Sequence, residues 1–296
     1  MRGYQKLLIA AILLFPIILG AVLTALKDSG SGSTFSSGSL KKIGLVRVEG
    51  VINQSYEIVR QLRSFRSDNS IAGVLLRIDS PGGAVAPSQE IYSEVLNYRR
   101  EKKPLIVSMG TVAASGGYYI ASPSQKIFAD PGTLTGSIGV IMTLPKFEEL
   151  TKKIGIEMRT YKAGKFKDIT SPYRQISPQE QIVLQGLLDD THNQFISDVA
   201  KARNLPFDTI KTIADGRVYT GRQALAVHLV DTLGGYQDAI AYIKHIAGLS
   251  KKAKVVEHSS RSSLIREWLV EEMVHIFPQM YQLFAKPGPQ FLLSVQ

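Results

Sequence analysis

A serine followed by two glycines, Ser115 and Gly116–Gly117, lies in the stretch TVAASGGYY, shortly after the apolar run PLIVSMG. A serine hydroxyl at the end of a strand can act as a nucleophile, and glycines beside it let a substrate carbonyl approach the backbone closely. A second pair, Gly82–Gly83, follows the apolar run VLLRID. Because ligands gather at the carboxyl ends of parallel strands, both pairs would present backbone N–H groups to one crevice and could stabilise an oxyanion. Taken alone, an SGG triplet is more typical of a simple turn.

A serine nucleophile needs a base, and the sequence leaves two kinds of base open. The histidines lie in helical or tail contexts that are more typical of packing or surface residues, and they are His192, His228, His245, His258 and His275. A Ser-His-Asp triad remains an alternative, because its members need only meet in space. A desolvated lysine is the other base, although its ordinary pKa of about 10.4 must then fall by roughly 2–3 units. The stretch YKAGKFKD offers Lys162, Lys165 and Lys167, and nothing in their spacing separates a base from solvated surface charges.

Composition excludes several other chemistries. The 296-residue chain has no cysteine, so disulfides, thiol nucleophiles and cysteine-based zinc sites are excluded. It contains no P-loop, HExxH, G-x-S-x-G or G-x-G-x-x-G pattern, and the sequence therefore predicts no metal and no cofactor. The net charge of +10 comes from basic residues scattered among acids, without a recognisable nucleic-acid motif, so we expect no nucleic-acid partner.

The elements that must position these residues alternate between strand and helix. Nearly continuous apolar runs predict strands buried on both faces, and helical spacing follows each of them. The predicted strands include KIGLVRVEGVI, AGVLLRIDS, PLIVSMG and IEMRTYKAG; the predicted helices include YEIVRQLRSFRSD, PSQEIYSEVLNYRREKK, residues 146–153 and residues 178–203. This alternation favours an α/β fold built from βαβ units with parallel strands.

The N-terminus predicts a membrane anchor. The run from Leu7 to Leu26 carries no charge, and twenty residues at about 1.5 Å each span the hydrocarbon core of a bilayer. Arg2 and Lys6 precede it, so the following chain would cross to the outside of the cytoplasm. A cleaved signal peptide is the alternative, but LTALKDSG is a poor cleavage site and the apolar run is long for one.

Four regions follow from these patterns. Residues 1–28 form a cytoplasmic stub and anchor, and residues 29–40 form a Gly/Ser linker. Residues 41–250 form the globular domain, and residues 251–296 form an amphipathic C-terminal tail that contains Trp268. This tail could pack on its own domain or lie on a membrane or partner, and the sequence favours neither.

Several ordered motifs resemble the signal peptide peptidase A (SppA) family of membrane-anchored serine proteases. They are IDSPGG, AASGGYYIAS, GTLTGSIGV, YKAGKFKD and ADGRVYTGRQA, and the resemblance covers about residues 42–249. It implies a ClpP/crotonase-like fold with a Ser-Lys dyad. By this resemblance Ser115 is the nucleophile, Lys167 is the general base, the N–H groups of Gly83 and Gly116 form the oxyanion hole, and Ser137 orients the lysine.

The resemblance also implies an assembly and a substrate class. Family members of this length form ring-like homo-oligomers in which neighbouring subunits complete the dyad. Their substrates are apolar peptides, the remnant signal peptides left in the membrane. The implied location is the bacterial inner membrane, crossed once, with the catalytic domain on the extracytoplasmic side. Two alternatives are a related protease that acts on stomatin-like or other membrane proteins, and a non-catalytic crotonase-like scaffold.

Overall fold

A computed structural model describes residues 41–258 of the chain. From residue 42 to residue 129 strands and helices alternate along the sequence, as predicted. The strands are β1 Lys42–Glu49, β2 Ile71–Ser80, β3 Leu105–Ala114, β4 Lys126–Ala129, β5 Leu134–Gly136, β6 Val218–Thr220, β7 Thr232–Leu233 and β8 Val255–Glu257. The helices are α1 Tyr56–Ser67, α2 Val85–Arg100, α3 Gly116–Ala121, α4 Glu148–Lys153, α5 Pro178–Arg203, α6 Phe207–Ile213, α7 Gly221–Ala226 and α8 Tyr236–Ile246.

The strands form a single mixed sheet with β2 and β3 near its middle. Its order is β6-β5-β3-β2-β1-β8, and β4 joins β3 to β7. All pairs are parallel except β5 with β6. Strand β3 is long enough to pair with β4 along its first half and with β5 along its last three residues. The predicted α/β fold with parallel strands is therefore confirmed.

Both faces of the sheet are covered, which explains the continuous apolar runs. Alternate residues of the central strands, such as Leu76 and Val107, pack into the large core beneath α1, α2 and α3. Leu75 and Ile106 point to the opposite face, where Ile243 of α8 covers them. The end of α5 is attached to α2, because the Arg99 guanidinium donates to the Ala202 carbonyl at 2.7 Å.

The predicted strand IEMRTYKAG is wrong. Residues 156–164 contain no strand, and every one of them is exposed. A strand needs a neighbour to accept its hydrogen bonds, and within the described chain this stretch has no strand beside it. The predicted helix before it is shorter than expected, and begins at Glu148 instead of residue 146.

The structure can be compared with the predicted regions only up to the two ends of the described range. Strand β8 pairs with β1. The sheet therefore continues past residue 250, the predicted end of the globular domain. No helix within residues 41–258 is long and apolar enough to cross a membrane. The predicted anchor, the Gly/Ser linker and residues 259–296 of the predicted tail lie outside the described residues.

Candidate active site

Ser115 lies at a sharp turn between β3 and α3. Its backbone has φ 52° and ψ −120°, a conformation that residues with a Cβ rarely adopt. Strained residues of this kind cluster at functional sites, and a strained strand-to-helix turn is the way α/β hydrolases expose a nucleophilic serine. The local geometry therefore supports a chemical role for Ser115 over a plain turn.

Buried hydrogen bonds fix the end of β3 and hence the position of Ser115. The Asp79 carboxylate accepts the Val112 N–H at 3.0 Å, and the Thr135 hydroxyl donates to the Ala113 carbonyl at 2.7 Å. The Ser115 N–H itself donates to the Gly136 carbonyl at 2.8 Å. These contacts tie the serine to β2 on one side and to β5 on the other, so its strained backbone is held in place.

The two glycine pairs meet beside Ser115, as the sequence predicted. A Cβ on Gly82 would lie 2.8 Å from the Gly116 nitrogen, and one on Gly116 would lie 3.2 Å from the Gly83 nitrogen. Such close approach is open only to glycine. Within the described range, neither the Gly83 nor the Gly116 N–H donates to a backbone or side-chain acceptor, so both remain available to a ligand.

Ser137 adjoins the same turn. It directly follows Gly136, whose carbonyl accepts the Ser115 N–H, and its own N–H donates to the Arg217 carbonyl at 2.9 Å. Its φ of 50° is again positive, and the residue is half-buried. The structure thus brings Ser137 close to Ser115, although Ser137 is not part of the cleft wall described next.

A narrow cleft opens at Ser115 and Gly116. Most of its wall is apolar and comes from α2, α3, the loop after β5 and α5: the residues are Gly83, Val85, Ser88, Gln89, Tyr119, Gly139, Val140, Thr191 and Phe195. The Tyr119 hydroxyl donates to the Asp198 carboxylate at 2.5 Å. Burial, reinforced by this carboxylate, raises the pKa of Tyr119, so the phenol stays neutral. The cleft is suited to an apolar side chain.

The residues of the cleft wall beyond the glycine pairs were not predicted from the sequence. Thr191 and Phe195 are four residues apart on α5, so their shared face could have been found. However, nothing in the sequence indicates which helix covers the strand ends. Val85 and Gln89 have the same spacing on α2, and they face the cleft because the Gly82–Gly83 turn places the start of α2 there.

The histidines of the described range do not serve Ser115. His192, His228, His245 and His258 are absent from the cleft wall. The ring of His192 contacts the Ile138 carbonyl at 3.2 Å through Nε2. A Ser-His-Asp triad built from these four residues is therefore not formed.

The three candidate lysines lie on a surface segment between α4 and α5, away from the cleft wall. Lys162 pairs with Asp168, and its ammonium also donates to the Lys165 carbonyl at 3.0 Å. Lys165 donates to the Gln179 side chain. The Lys167 ammonium makes no hydrogen bond or ion pair with any residue of the described range, and its side chain is exposed. The structure of one chain does not bring Lys167 to Ser115.

Comparison with known proteins identifies the family. Residues 97–250, more than half of the chain, match peptidase family S49, and residues 37–131 match the Clp protease family. A Synechocystis protein named "Putative protease slr0021" is 42% identical over 73% of this chain and 78% of its own length. An Enterococcus faecium protein named "Putative signal peptide peptidase SppA" is 35% identical over 78% of this chain and 71% of its own.

A plant relative adds the type of protease. The Arabidopsis thaliana protein named "Serine protease SPPA, chloroplastic" is 34% identical over 79% of this chain, which corresponds to 35% of the longer relative. The Clp match agrees with the parallel α/β sheet described above. The chain therefore belongs to peptidase family S49 and is a serine protease of the SppA family.

Proposed function

We propose that this protease is an endopeptidase that hydrolyses peptide bonds with a dyad of Ser115 and Lys167. The observation that carries the proposal is the backbone of Ser115, which is strained, fixed by neighbouring strands and placed on the wall of an apolar cleft. A scaffold needs no nucleophilic hydroxyl at a position where glycine would be less strained. This argues against the non-catalytic alternative.

The neighbouring groups support a covalent mechanism. The Ser115 oxygen attacks the carbonyl carbon of the peptide while the base takes the hydroxyl proton, and the tetrahedral oxyanion accepts hydrogen bonds from the Gly83 and Gly116 N–H groups. The base then returns the proton to the leaving amine, which leaves an acyl-enzyme. A water molecule, deprotonated by the same base, hydrolyses the ester and restores Ser115.

The contacts of the three lysines favour Lys167 as the base. Lys162 is paired with the Asp168 carboxylate, which favours its charged form and makes it a poor proton acceptor, and Lys165 is hydrogen-bonded to the Gln179 amide. Lys167 makes no such contact within residues 41–258, so its amine is free to turn toward a hydroxyl. Ser137 lies beside Ser115, where its hydroxyl could accept a hydrogen bond from the amine and orient it.

A neighbouring subunit is the proposed means of completing the site. A general-base lysine must be desolvated, and the exposed Lys167 is not desolvated by its own chain. The segment that carries it also exposes large apolar side chains, among them Ile154, Met158 and the 91% exposed Tyr161. Apolar surface of this extent is typical of a contact between proteins. We propose a ring in which this segment packs against the next subunit and delivers Lys167 to its Ser115.

The proposed substrates are remnant signal peptides. Their apolar side chains fit the wall formed by Val85, Val140 and Phe195. A relative is named as a signal peptide peptidase, which supports the same class. The apolar run within residues 1–28 would anchor the chain in the bacterial inner membrane, with the protease domain on the outer side. Other membrane proteins are the alternative substrates.

Peptidase activity of full-length variants tests the nucleophile. Wild-type protein should hydrolyse an apolar peptide ester, and Ser115→Ala should lose at least about 10³-fold in kcat with the assembly intact. Ser93→Ala is the matched control, because Ser93 is exposed on α2 and lies off the cleft wall. Turnover by correctly assembled Ser115→Ala protein would refute the assignment. Comparison of a signal peptide with a loop peptide from another membrane protein would separate the two substrate classes.

A further inference from the structure

Arg174 connects the lysine segment to the start of α5. Its Nε and one terminal nitrogen donate to the two Asp168 carboxylate oxygens, both at 2.8 Å. The other side of the guanidinium donates to both Glu180 oxygens, at 2.9 and 2.6 Å. A fifth hydrogen bond, at 3.0 Å, goes to the Asp168 backbone carbonyl. One planar guanidinium therefore holds two carboxylates and the backbone of the residue next to Lys167.

The Glu180 end of this connection is buried and hydrogen-bonded. Glu180 is almost fully buried and closes the capping box of α5, where its carboxylate accepts the Ser177 N–H at 2.9 Å. About three and four turns further along, the same helix carries Thr191 and Phe195 on the cleft wall. The segment with Lys167 is thus fastened to the helix that lines the Ser115 cleft.

The Arg174 guanidinium also determines the charge state of the Asp168 carboxylate, which is next to Lys167 in the chain. Asp168 is the next residue in the chain, but its carboxylate is occupied by Arg174 and by Lys162. These partners, Arg174 foremost, hold the pKa of Asp168 well below its usual range, so it is ionised and fully paired. The same guanidinium lowers the pKa of Glu180 to about 2.

Several other charged groups around this cluster already have partners. Lys165 is bound to Gln179 on α5. From α4, whose start is joined to the segment by the Phe147 N–H and the Pro172 carbonyl, Glu148 and Lys152 pair with each other at 2.8 Å. Of the two carboxylates that Arg174 holds, Glu180 is buried and also accepts the Ser177 N–H, so Asp168 is the one that could turn to Lys167 if Arg174 were removed.

We propose that Arg174 is a positioning residue for the base: it fixes the segment that presents Lys167 and keeps Asp168 from pairing with the Lys167 amine. The proposal rests on the proposed function of Lys167. It predicts that removing Arg174 has two effects that can be measured separately: the Lys167 segment is displaced, and the charge next to the Lys167 amine changes. Loss of geometry slows turnover, because small displacements of a catalytic group are costly. Without Arg174, Asp168 is held by Lys162 through one oxygen only, and its other oxygen could pair with the Lys167 amine, which would favour the charged amine and move activity to higher pH.

The experiment compares kcat and KM against pH for full-length variants. Arg174→Gln should lower kcat about 10- to 100-fold with little change in KM, and should move the rising limb of the pH profile up by about one unit. Arg174→Lys keeps the positive charge but lacks the planar guanidinium. The rising limb of its pH profile should therefore stay at the wild-type position, and its kcat should fall less than that of Arg174→Gln. Adding Asp168→Asn to Arg174→Gln should return the limb to its wild-type position without restoring kcat.

Arg203→Gln is the matched control for a purely structural loss. Arg203 lies at the other end of α5 and pairs with Asp231, away from the lysine segment. This variant should lose thermal stability but keep the wild-type pH profile. If Arg174→Gln behaves like Arg203→Gln, Arg174 has no positioning role. If Arg174→Gln does not assemble, Arg174→Lys decides through the kinetic constants: a lowered kcat at unchanged KM supports the positioning role, and a wild-type kcat overturns it.

The proposed function fails in a different way. Activity in Lys167→Ala would show that Lys167 is not the base. An inactive Lys167→Ala together with an unmoved pH limb in Arg174→Gln would keep the base and overturn the role of Arg174. The two hypotheses are therefore tested by different variants of the same series.

Discussion

At the scale of single residues, Ser115 combines two requirements that rarely coincide. The turn after β3 needs a positive φ, which glycine adopts with least strain, and the chemistry needs a hydroxyl. Glycines stand around this position at 82, 83, 116 and 117, where contacts leave no room for a Cβ. Position 115 itself has a side chain, although its backbone is strained. A turn with no chemical role would be more stable with glycine there.

This conflict predicts opposite effects of two substitutions at position 115. Ser115→Gly should remove activity and raise the free energy of unfolding by about 1 kcal/mol, because it relieves the strain. Ser115→Ala should remove activity without this gain, since alanine keeps the Cβ. Lys102→Gly is the control: Lys102 also has a positive φ, of 57°, so this change should stabilise the chain and leave it active. Thermal or denaturant unfolding with parallel peptidase assays measures all three. Equal stability of the glycine and alanine variants would show that Ser115 is not strained.

The site residues that the sequence predicted best are those that directly follow a strand. Ser115, Gly83 and Gly116 could be placed together because parallel strands deliver their carboxyl ends to one edge. The choice of Lys167 came from family resemblance alone, because the three lysines differ only in tertiary contacts. Those contacts, made by Asp168, Arg174 and Gln179, depend on how the segment folds against α5, and periodicity contains no such information.

At the scale of elements, buried parts were predicted better than exposed ones. Strands β1, β2 and β3 have apolar runs because both sheet faces are covered, and α5 begins at the predicted Pro178 with its capping box. The stretch at residues 156–164 has strand-like composition but no partner strand within the described chain. Composition predicts which residues suit a strand, whereas pairing decides whether one forms. The division of β3 between β4 and β5 likewise depends on tertiary pairing.

The start of α5 should lose stability in acid. The folded pKa of Glu180 is about 2, below its ordinary 4.5, because the Arg174 guanidinium and the Ser177 N–H bind its carboxylate. A depressed pKa stabilises the fold above about pH 4.5 and loses this effect as pH falls toward 2. The difference in Tm between wild type and Glu180→Gln should therefore be large near neutrality and shrink as pH falls below about 4.

Glu57→Gln provides the control for this acid effect. Glu57 also pairs with an arginine, Arg60, but both side chains are exposed on α1. Exposed pairs contribute little, so its Tm should match wild type at every pH. A Glu180→Gln difference that stays constant with pH would show that the loss comes from packing and not from the carboxylate charge.

At the scale of the whole molecule, the proposed anchor predicts a topology. The basic residues Arg2 and Lys6 precede the apolar run, so the protease domain should lie outside the cytoplasm. Protease added to intact spheroplasts should digest the domain, while a cytoplasmic marker protein stays protected. Protection of the domain until lysis would reverse the orientation. A shortened, soluble product in untreated cells would instead support a cleaved signal peptide.

The proposed shared dyad predicts complementation between inactive subunits. If Ser115 and Lys167 of one site come from adjacent subunits, rings that mix Ser115→Ala and Lys167→Ala chains contain some sites with both groups intact. Random mixing in equal amounts makes this about a quarter of all sites, so activity should recover to about a quarter of wild type. The two chains would be co-expressed with different tags, purified through both tags and assayed with an apolar peptide.

Rings made from either variant alone provide the background, and both should be inactive. A double variant, Ser115→Ala with Lys167→Ala, mixed with wild-type chains gives a second check. An interface between wild-type and double-variant chains always lacks one group, so only neighbouring wild-type chains would work, again about a quarter of sites. Sites contained within one chain would instead give about half of wild-type activity in this second mixture and none in the first. That pair of values would refute the shared dyad, and each chain would then have to fold its own Lys167 segment back over the Ser115 cleft.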